Sequence, residues 1–254
     1  MKAARIYRYG DPDVFQIEDI AKPTPRARDV LIEVHAAAVN PIDCKIRKGS
    51  QRGIIRYKLP HVLGLDASGV VVEIGSGVSE FAVGDEVYTS PSHRRDGAYA
   101  QYMVAHVSEI ARKPHNISHA EAAGIPLAGE TAWQALIDEV GLQRGERVLI
   151  HAGSGGVGTL AIQIAKHLGA EVASTCSGRN VELVRGLGAD HVIDYTVEQF
   201  DEVLSDYDVV LDAIGGETKA RSLSVLKRGG RLVSIVSGMP EATKRHGPIL
   251  GVLA

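Results

Sequence analysis

The stretch RVLIHAGSGGVGTLAIQIAKHLGA, residues 147–170, contains the clearest indication of the fold class of this chain. Its apolar beginning, Arg147–Ala152, predicts a buried strand, and the periodicity of its second half predicts an amphipathic helix over 157–168. Between them, Gly153-Ser154-Gly155-Gly156-Val157-Gly158 has the glycine spacing of a dinucleotide-binding loop that joins a strand to a helix. The stretch therefore predicts the first βαβ unit of a parallel sheet.

The same alternation of strand and helix continues downstream. Four more apolar runs predict strands, EVASTC, HVID, DVVLDA and RLVSIV, at 171–176, 191–194, 208–213 and 231–236. Helices are predicted between them over 180–187, near 197–204 and near 217–226. Just upstream, the alanine-rich segment 118–136 predicts a pair of helices. The second half is therefore predicted to be an α/β domain with five parallel strands.

The first half has a different pattern. Up to about residue 112, short β-like runs are separated by Gly, Pro and Asp: KAARIYR, VFQIEDI, VLIEVHAAAV, SGVVVEIG, DEVYT and AYAQYMV. We predict a mostly-β domain over 1–122 and the α/β domain over 123–254.

Composition narrows the class of protein. The 254 residues are 44% apolar and 23% charged with a net charge of -3, which favours a soluble protein without a nucleic-acid or membrane partner. The start, MKAARIYRYG, lacks the apolar core of a signal peptide, and no apolar run is long enough for a membrane span. The 2 cysteines lie far apart, which argues against a disulfide framework and favours a cytoplasmic location.

The glycine-rich loop predicts a cofactor site. Gly153 would permit the turn, Gly155 would let the backbone approach a pyrophosphate, and Gly158 would let the helix pack close to the strand. Gly156 directly precedes the predicted helix and Val157 begins it, and the free N–H groups at a helix N-terminus attract anions. A glycine-rich turn in some other α/β protein is the alternative, but the strand, loop, helix and second strand all agree with cofactor binding.

The end of the second strand indicates which dinucleotide is bound. An NAD site usually has Asp or Glu there to hold the ribose 2′-hydroxyl, and this chain has none. Instead, Arg179 is expected to pair with a 2′-phosphate to which Ser177 and Asn180 donate hydrogen bonds. NADPH is therefore the expected cofactor, with a solvated Arg179 as the alternative.

Six blocks along the chain resemble one family: VHAAAVNPIDCKIRKG (34–49), LGLDASGVVVEIGSGV (63–78), GDEVY (84–88), IPLAGETAWQAL (125–136), HAGSGGVGTLAIQIAKHLGA (151–170) and LGADHVIDY (187–195). Together they resemble the medium-chain dehydrogenase/reductase superfamily, in its zinc-independent quinone oxidoreductase and enone reductase branch. The resemblance implies a GroES-like domain followed by a Rossmann domain, with the active site in the cleft between the two.

The resemblance also implies that no metal is bound. Zinc-dependent members have Cys where this chain has Asn40, and Gly-His-Glu where it has Gly64-Leu65-Asp66. Leu65 has no donor atom and Asn40 is a poor zinc ligand. His61 and His93 lie near this region without partners at ligand spacing, so each is interpreted as a surface or hydrogen-bonded histidine.

The block NPIDCK resembles the NPxDxK pattern of enone reductases and implies the catalytic residues. Lys45 is the first candidate, because an ammonium near the substrate oxygen would stabilise a developing enolate. A solvent-facing lysine is the alternative. Asn40 and Asp43 rank second, since they are at least as well suited to shaping the loop beside Pro41 as turn residues.

Four further cofactor contacts are implied by the resemblance. Thr131 matches a threonine near the nicotinamide or phosphates, with a helix cap as the alternative. Tyr195 matches a tyrosine at the adenosine-phosphate end, while Gly215 and Ile235 match the edge of the sheet near the nicotinamide ribose.

Members of the family usually continue beyond the apolar ending at Ala254, so this chain is expected to lack the usual C-terminal segment. The resemblance leaves a homodimer open if the chain is complete. It implies an NADPH-dependent, zinc-independent oxidoreductase that reduces the activated C=C of an enone or enal, or a quinone. The alternatives are an alcohol dehydrogenase acting on C=O and a non-catalytic NADPH-binding protein with a sensory or crystallin-like role.

Overall fold

The structure is a computed structural model that describes residues 1–50, 52, 57–92 and 95–236. The chain divides into two compact units between Leu127 and Ala128. The predicted boundary at residues 122 and 123 lies just before this division. His93 and the apolar ending at Ala254 lie outside the described residues.

The first unit is mostly β structure. Its strands in the described ranges are β1 (Lys2–Ile6), β2 (Phe15–Asp19), β3 (Asp29–Ala37), β4 (His61–Val62), β5 (Ala67–Ile74), β6 (Glu86–Thr89), β7 (Tyr102–His106) and β8 (Ile110–Arg112). They pair antiparallel in two sheets, ordered β2-β1-β4 and β7-β3-β5-β6-β8. The prediction of a mostly-β first half is confirmed.

The core of the first unit follows the two-residue period of its strands. Val30 and Ile32 of β3 and Met103 and Ala105 of β7 point to the same side and are fully buried in one apolar cluster. Short helices connect the strands: 3-10 turns at Pro12–Val14 and Val107–Glu109, and α-helices α1 (Pro41–Lys48) and α2 (His119–Ala123). The sequence predicted α2 but only a turn where α1 lies.

A third helix, α3 (Pro126–Trp133), begins in the first unit and enters the second, where it continues as a π-helical segment, Gln134–Glu139. With α2 it confirms the predicted helix pair.

The second unit alternates strand and helix as predicted. Its elements are β9 (Arg147–Ile150), α4 (Gly156–Leu168), β10 (Glu171–Cys176), a 3-10 turn (Gly178–Asn180), α5 (Val181–Gly186), β11 (His191–Asp194), α6 (Phe200–Val203), β12 (Tyr207–Asp212), α7 (Gly216–Arg221) and β13 (Leu226–Ser234). The helix expected near 217–226 ends earlier, at Arg221, and a turn follows in which the Ser222 hydroxyl donates to the Thr218 carbonyl.

The five strands of the second unit pair in parallel in the order β11-β10-β9-β12-β13. Both faces of the sheet are covered, since Val148 and Ile150 of β9 pack in one apolar cluster and Leu149, between them, packs in another. This is a doubly wound Rossmann sheet, and its strand order reverses between β9 and β12. Ligands of such sheets bind outside the carboxyl ends of the strands at that reversal.

Candidate functional site

A cavity of about 640 Å³ lies at the carboxyl ends of the strands of the second unit. Its lining residues are His151, Ala152, Ser154, Gly155, Thr175, Cys176, Ser177, Arg179, Asn180, Tyr195, Glu198, Gln199, Phe200, Ile214, Thr218 and Arg221. Five of the residues predicted to bind the cofactor are among them: Gly155, Ser177, Arg179, Asn180 and Tyr195.

The glycine-rich loop forms one wall of this cavity. Its left-handed residue is Ala152, with φ 55, rather than the glycine to which the turn was attributed. Gly153 is needed for space instead, because a Cβ there would lie 2.0 Å from Ser174 Oγ. Gly158 has a similar role, since its Cβ would lie 2.3 Å from the carbonyl oxygen of Ala152. The two glycines therefore keep the start of α4 close to the strands.

The first turn of α4 faces open space beside this loop. Gly155 is the N-terminal cap, with φ -81 and ψ 169, and Gly156 and Val157 follow as the first helical residues. Gly155 and Gly156 are exposed. The first N–H groups of a helix have no acceptor within it and carry partial positive charge, so this end of α4 can bind an anionic group.

Side chains after β10 and β11 form another part of the cavity wall. Arg179 is exposed, and among the described residues no carboxylate forms an ion pair with it. The Asn180 amide nitrogen donates to Ser154 Oγ at 3.0 Å and to Ser177 Oγ at 3.3 Å. Tyr195, which directly follows β11, is 59% exposed. The wall thus offers a cation without a partner and several hydroxyl groups.

Asp212 organises the turn after β12. It is fully buried, and its Oδ1 accepts hydrogen bonds from the N–H groups of Ile214 and Gly215, while Oδ2 accepts one from Ser234 Oγ. Burial alone would raise the pKa of Asp212, but these hydrogen bonds outweigh it and lower the pKa. The N–H of Ile235 donates to the Asp212 carbonyl at 3.0 Å. Asp212 therefore fixes Gly215 and Ile235 at the end of the sheet.

Gly215, Ile235 and Thr131 are not among the described residues that line the cavity. Gly215 has φ 79, which glycine adopts readily, and caps the start of α7. Thr131 lies inside α3 rather than at its first turn, so the interpretation of Thr131 as an N-terminal cap was wrong. The cofactor contacts expected of these three residues stay predictions.

Sequence reasoning missed several residues of the cavity wall. Ser154 and His151 lie within or beside the glycine-rich motif, and their positions at the end of β9 could have indicated them. Thr218 and Arg221, on α7, carry no such local signal. Helix α7 follows β12, and β12 pairs with β9 on the side opposite to β10. This strand order brings Thr218 and Arg221 to the cavity.

In the first unit, Asn40 and Asp43 fix the start of α1. Asp43 Oδ2 accepts hydrogen bonds from the Asn40 backbone N–H at 2.8 Å and from the Tyr99 hydroxyl at 3.1 Å. The Asn40 side chain donates to Asp66 Oδ2 at 2.7 Å. Asp43 is 3% exposed, and this burial raises its pKa, although the hydrogen bonds oppose the rise. The pair acts as a helix start, not as the loop turn that the sequence suggested.

Lys45 lies one turn further along α1. Its side chain is exposed, and in the described part of the chain its ammonium has no hydrogen bond or ion pair. The group is therefore available to an anionic partner, and its catalytic role stays a prediction.

No metal-binding cluster of three or more His, Cys, Asp or Glu side chains occurs among the described residues. His61 is mostly buried and contacts Asp96 Oδ1 at 3.1 Å, which agrees with a hydrogen-bonded histidine. The expectation that this protein binds no zinc stays a prediction.

Two family models match the chain. The alcohol dehydrogenase GroES-like domain matches residues 26–115, and the zinc-binding dehydrogenase model matches residues 156–250. The chain is 42% identical over 248 residues to the chloroplastic NADPH-dependent alkenal/one oxidoreductase of Arabidopsis thaliana, with 94% of this chain and 63% of that protein covered.

Solved structures agree in fold. The quinone oxidoreductase from Coxiella burnetii matches with a TM-score of 0.85 and 37% identity, covering 97% of this chain and 79% of that one. The Escherichia coli quinone oxidoreductase, solved in complex with NADPH, matches with a TM-score of 0.83 and 30% identity, covering 97% and 78%.

A GroES-like β domain followed by a Rossmann domain defines a two-domain dehydrogenase or reductase of the medium-chain type. The chain belongs to the medium-chain dehydrogenase/reductase superfamily, in the branch that contains the quinone and alkenal/one oxidoreductases. It spans 63% of the length of its plant relative. No helix in the described ranges is long and apolar enough to cross a membrane. A cytoplasmic location and a homodimer stay predictions.

Proposed function

We propose that this protein is an NADPH-dependent oxidoreductase that reduces the activated C=C of an enone or enal, or a quinone, without zinc. The observation that carries the proposal is the cavity of the second unit, where the open end of α4 and Arg179, which has no ion pair within the described ranges, line one space. Family membership supports the reaction class, and the names of the plant and bacterial relatives support the two kinds of substrate.

The cavity fits a dinucleotide with an additional phosphate. The N–H groups at the start of α4 suit the pyrophosphate, because Gly155 lines the cavity and Gly155 and Gly156 are exposed there without a side chain. Arg179 suits a 2′-phosphate, because a guanidinium pairs strongly with phosphate oxygens. Asp194 is the acid that ends β11, and its Oδ1 already accepts hydrogen bonds from the N–H and the hydroxyl of Thr196. This arrangement favours NADPH over NADH.

Bound NADPH would supply the hydride for the reduction. As the hydride adds to the β carbon of an enone, negative charge develops on the substrate oxygen. The Lys45 ammonium, exposed on α1, would stabilise that charge more in the transition state than in the ground state. Asn40 and Asp43 would contribute by holding the start of α1, through the hydrogen bonds that join them to Asp66 and Tyr99.

The activity is tested with the full-length protein, NADPH and a panel of unsaturated aldehydes, cyclic enones and benzoquinones. Loss of NADPH absorbance with at least one compound, and little with NADH, is the expected result. In parallel, Arg179→Ala should weaken NADPH binding about 10- to 150-fold, the effect of losing a charge-assisted hydrogen bond, and leave NADH binding unchanged. A folded protein that oxidises no NADPH with any compound would overturn the proposal.

A further inference from the structure

Asn180 connects two segments that line the cavity. The 3-10 turn Gly178–Asn180 brings the Asn180 backbone N–H to the Ser177 carbonyl at 2.8 Å, which places its side chain beside Ser177. From there the amide nitrogen donates to Ser177 Oγ at 3.3 Å and to Ser154 Oγ at 3.0 Å. Ser154 belongs to the glycine-rich loop, so one amide group connects the loop to the segment after β10.

The direction of these bonds determines what the two serines can do. A primary amide has two N–H donors, and both are used here. A hydroxyl has one hydrogen and two lone pairs, so each serine oxygen that accepts from Asn180 keeps its hydrogen to donate elsewhere. In the described part of the chain neither hydroxyl donates to a protein acceptor, and both serines line the cavity.

We propose that Asn180 is a positioning residue that directs the Ser154 and Ser177 hydroxyl hydrogens toward two different phosphate groups of the cofactor. This inference rests on the proposed NADPH site. Ser154 precedes the first turn of α4 and would donate to the pyrophosphate, while Ser177 lies beside Arg179 and would donate to the 2′-phosphate. Asn180, whose N–H groups are occupied, would act through the serines and not as the phosphate donor that the sequence suggested.

Substituting the two serines should have different effects on the selectivity for NADPH over NADH. Ser177→Ala should raise the dissociation constant of NADPH about 10- to 150-fold, because a hydrogen bond to a charged group is lost, and leave that of NADH unchanged. Ser154→Ala should weaken both cofactors by a similar factor, since both carry the pyrophosphate. The fragment 2′,5′-ADP has the 2′-phosphate and, in place of the pyrophosphate, a single 5′-phosphate, so it should respond to Ser177→Ala as NADPH does and to Ser154→Ala in the same direction.

Asn180→Leu is the decisive variant because it keeps the approximate shape of the side chain and removes its donors. In the parent protein it should lower the selectivity for NADPH over NADH. In the Ser177→Ala background it should leave that selectivity unchanged, since the hydroxyl that Asn180 directs to the 2′-phosphate is gone. A role in turn structure alone would lower the selectivity in both backgrounds, because Arg179 would still be displaced.

Dissociation constants are measured by fluorescence titration, with the melting temperature of the free protein as the folding control and Asn180→Ala as a second variant. Selectivity that is unchanged by Asn180→Leu in the parent, or lowered equally in both backgrounds, overturns the positioning role while NADPH binding by the parent protein upholds the proposed function. A parent protein that binds neither NADPH nor 2′,5′-ADP overturns the proposed function itself, and the inference with it.

Discussion

His151, at the carboxyl end of β9, is a buried imidazole whose tautomer follows from its neighbours. Ser222 Oγ donates to the Thr218 carbonyl at 2.7 Å, so it must accept from His151 Nε2–H, 2.9 Å away. His151 Nδ1 is then the acceptor for the Thr175 hydroxyl at 3.1 Å. Burial lowers the pKa of His151 to about 4, against the opposing charge of Asp212. The ring is therefore neutral at physiological pH and links β9 and β10 to the end of α7.

This depressed pKa makes stability depend on pH. As the pH falls from 6.5 to about 4, the unfolded chain takes up a proton that the folded His151 does not, so the free energy of unfolding decreases. The loss should approach about 3 kcal/mol once the pH is below the folded pKa. His151→Gln keeps a donor and an acceptor without titrating, so urea unfolding should show a shallower decline for this variant. Parallel declines would contradict a neutral His151.

Lys45 offers a second test at the level of one side chain. Lys45→Ala should lower enone turnover roughly 10²- to 10³-fold, the usual cost of losing one group that stabilises developing charge. Lys48→Ala is the matched control, because Lys48 is also exposed on α1 but lies 4.0 Å from Asp11. NADPH binding is measured separately by fluorescence. A raised KM with unchanged turnover would assign Lys45 to substrate binding alone, and no change at all would leave it a solvated lysine.

Among the secondary-structure elements, the loop between β9 and α4 has a strict steric requirement. Gly158→Ala would place a Cβ 2.3 Å from the Ala152 carbonyl oxygen, whereas Gly156→Ala would meet nothing closer than Ala128 Cβ at 4.0 Å. We expect Gly158→Ala to destabilise the fold by about 1–3 kcal/mol through overpacking. Gly156→Ala should stay within about 0.5 kcal/mol of the parent. Urea unfolding measures both, and equal losses would show that helix–strand proximity is not the constraint.

The Rossmann elements could be predicted because their information is local. β12 is one uninterrupted run in which every residue from Tyr207 to Asp212 is buried, as expected for a central parallel strand. The same local rules assigned the turn of the glycine-rich loop to Gly153, although Ala152 adopts the left-handed conformation. Glycine spacing shows that the loop is tight but not which residue has the unusual φ.

The sequence predicted a turn rather than helix α1, because tertiary contacts help to define the start of this helix. Asn40, Pro41 and Asp43 do form a helix-start signal, with proline at the first helical position and an acid two residues later. The contact that holds Asn40, however, is with Asp66 on the far side of a long connection. In the same way, the bond from Asn180 to Ser154 depends on β10 pairing beside β9, which aligns Ser174 with Ile150.

At the scale of the whole molecule, the two units have separate apolar cores and different chemistry. The first is built around Val30, Ile32 and Met103, and the second around Val148, Ile150 and their neighbours. Asn40, Leu65 and Asp66, the positions that the sequence comparison with zinc-dependent enzymes singles out, all lie in the first unit. The Asn40 amide donates a hydrogen bond to Asp66 Oδ2, and Asp66 Oδ1 accepts one from the Leu127 N–H at 2.8 Å.

We therefore expect no stoichiometric zinc in the purified full-length protein. Zinc prefers Cys and His donors in tetrahedral geometry, and at these positions the chain has a neutral amide and the hydrocarbon side chain of Leu65. Displacing Asn40 would also remove one hydrogen-bond donor of the buried Asp66, and this loss of free energy opposes metal binding. Elemental analysis before and after dialysis against a chelator, with NADPH oxidation measured on both samples, tests this. One zinc per chain, with activity lost on chelation and restored by zinc, would place the protein among the zinc-dependent dehydrogenases instead.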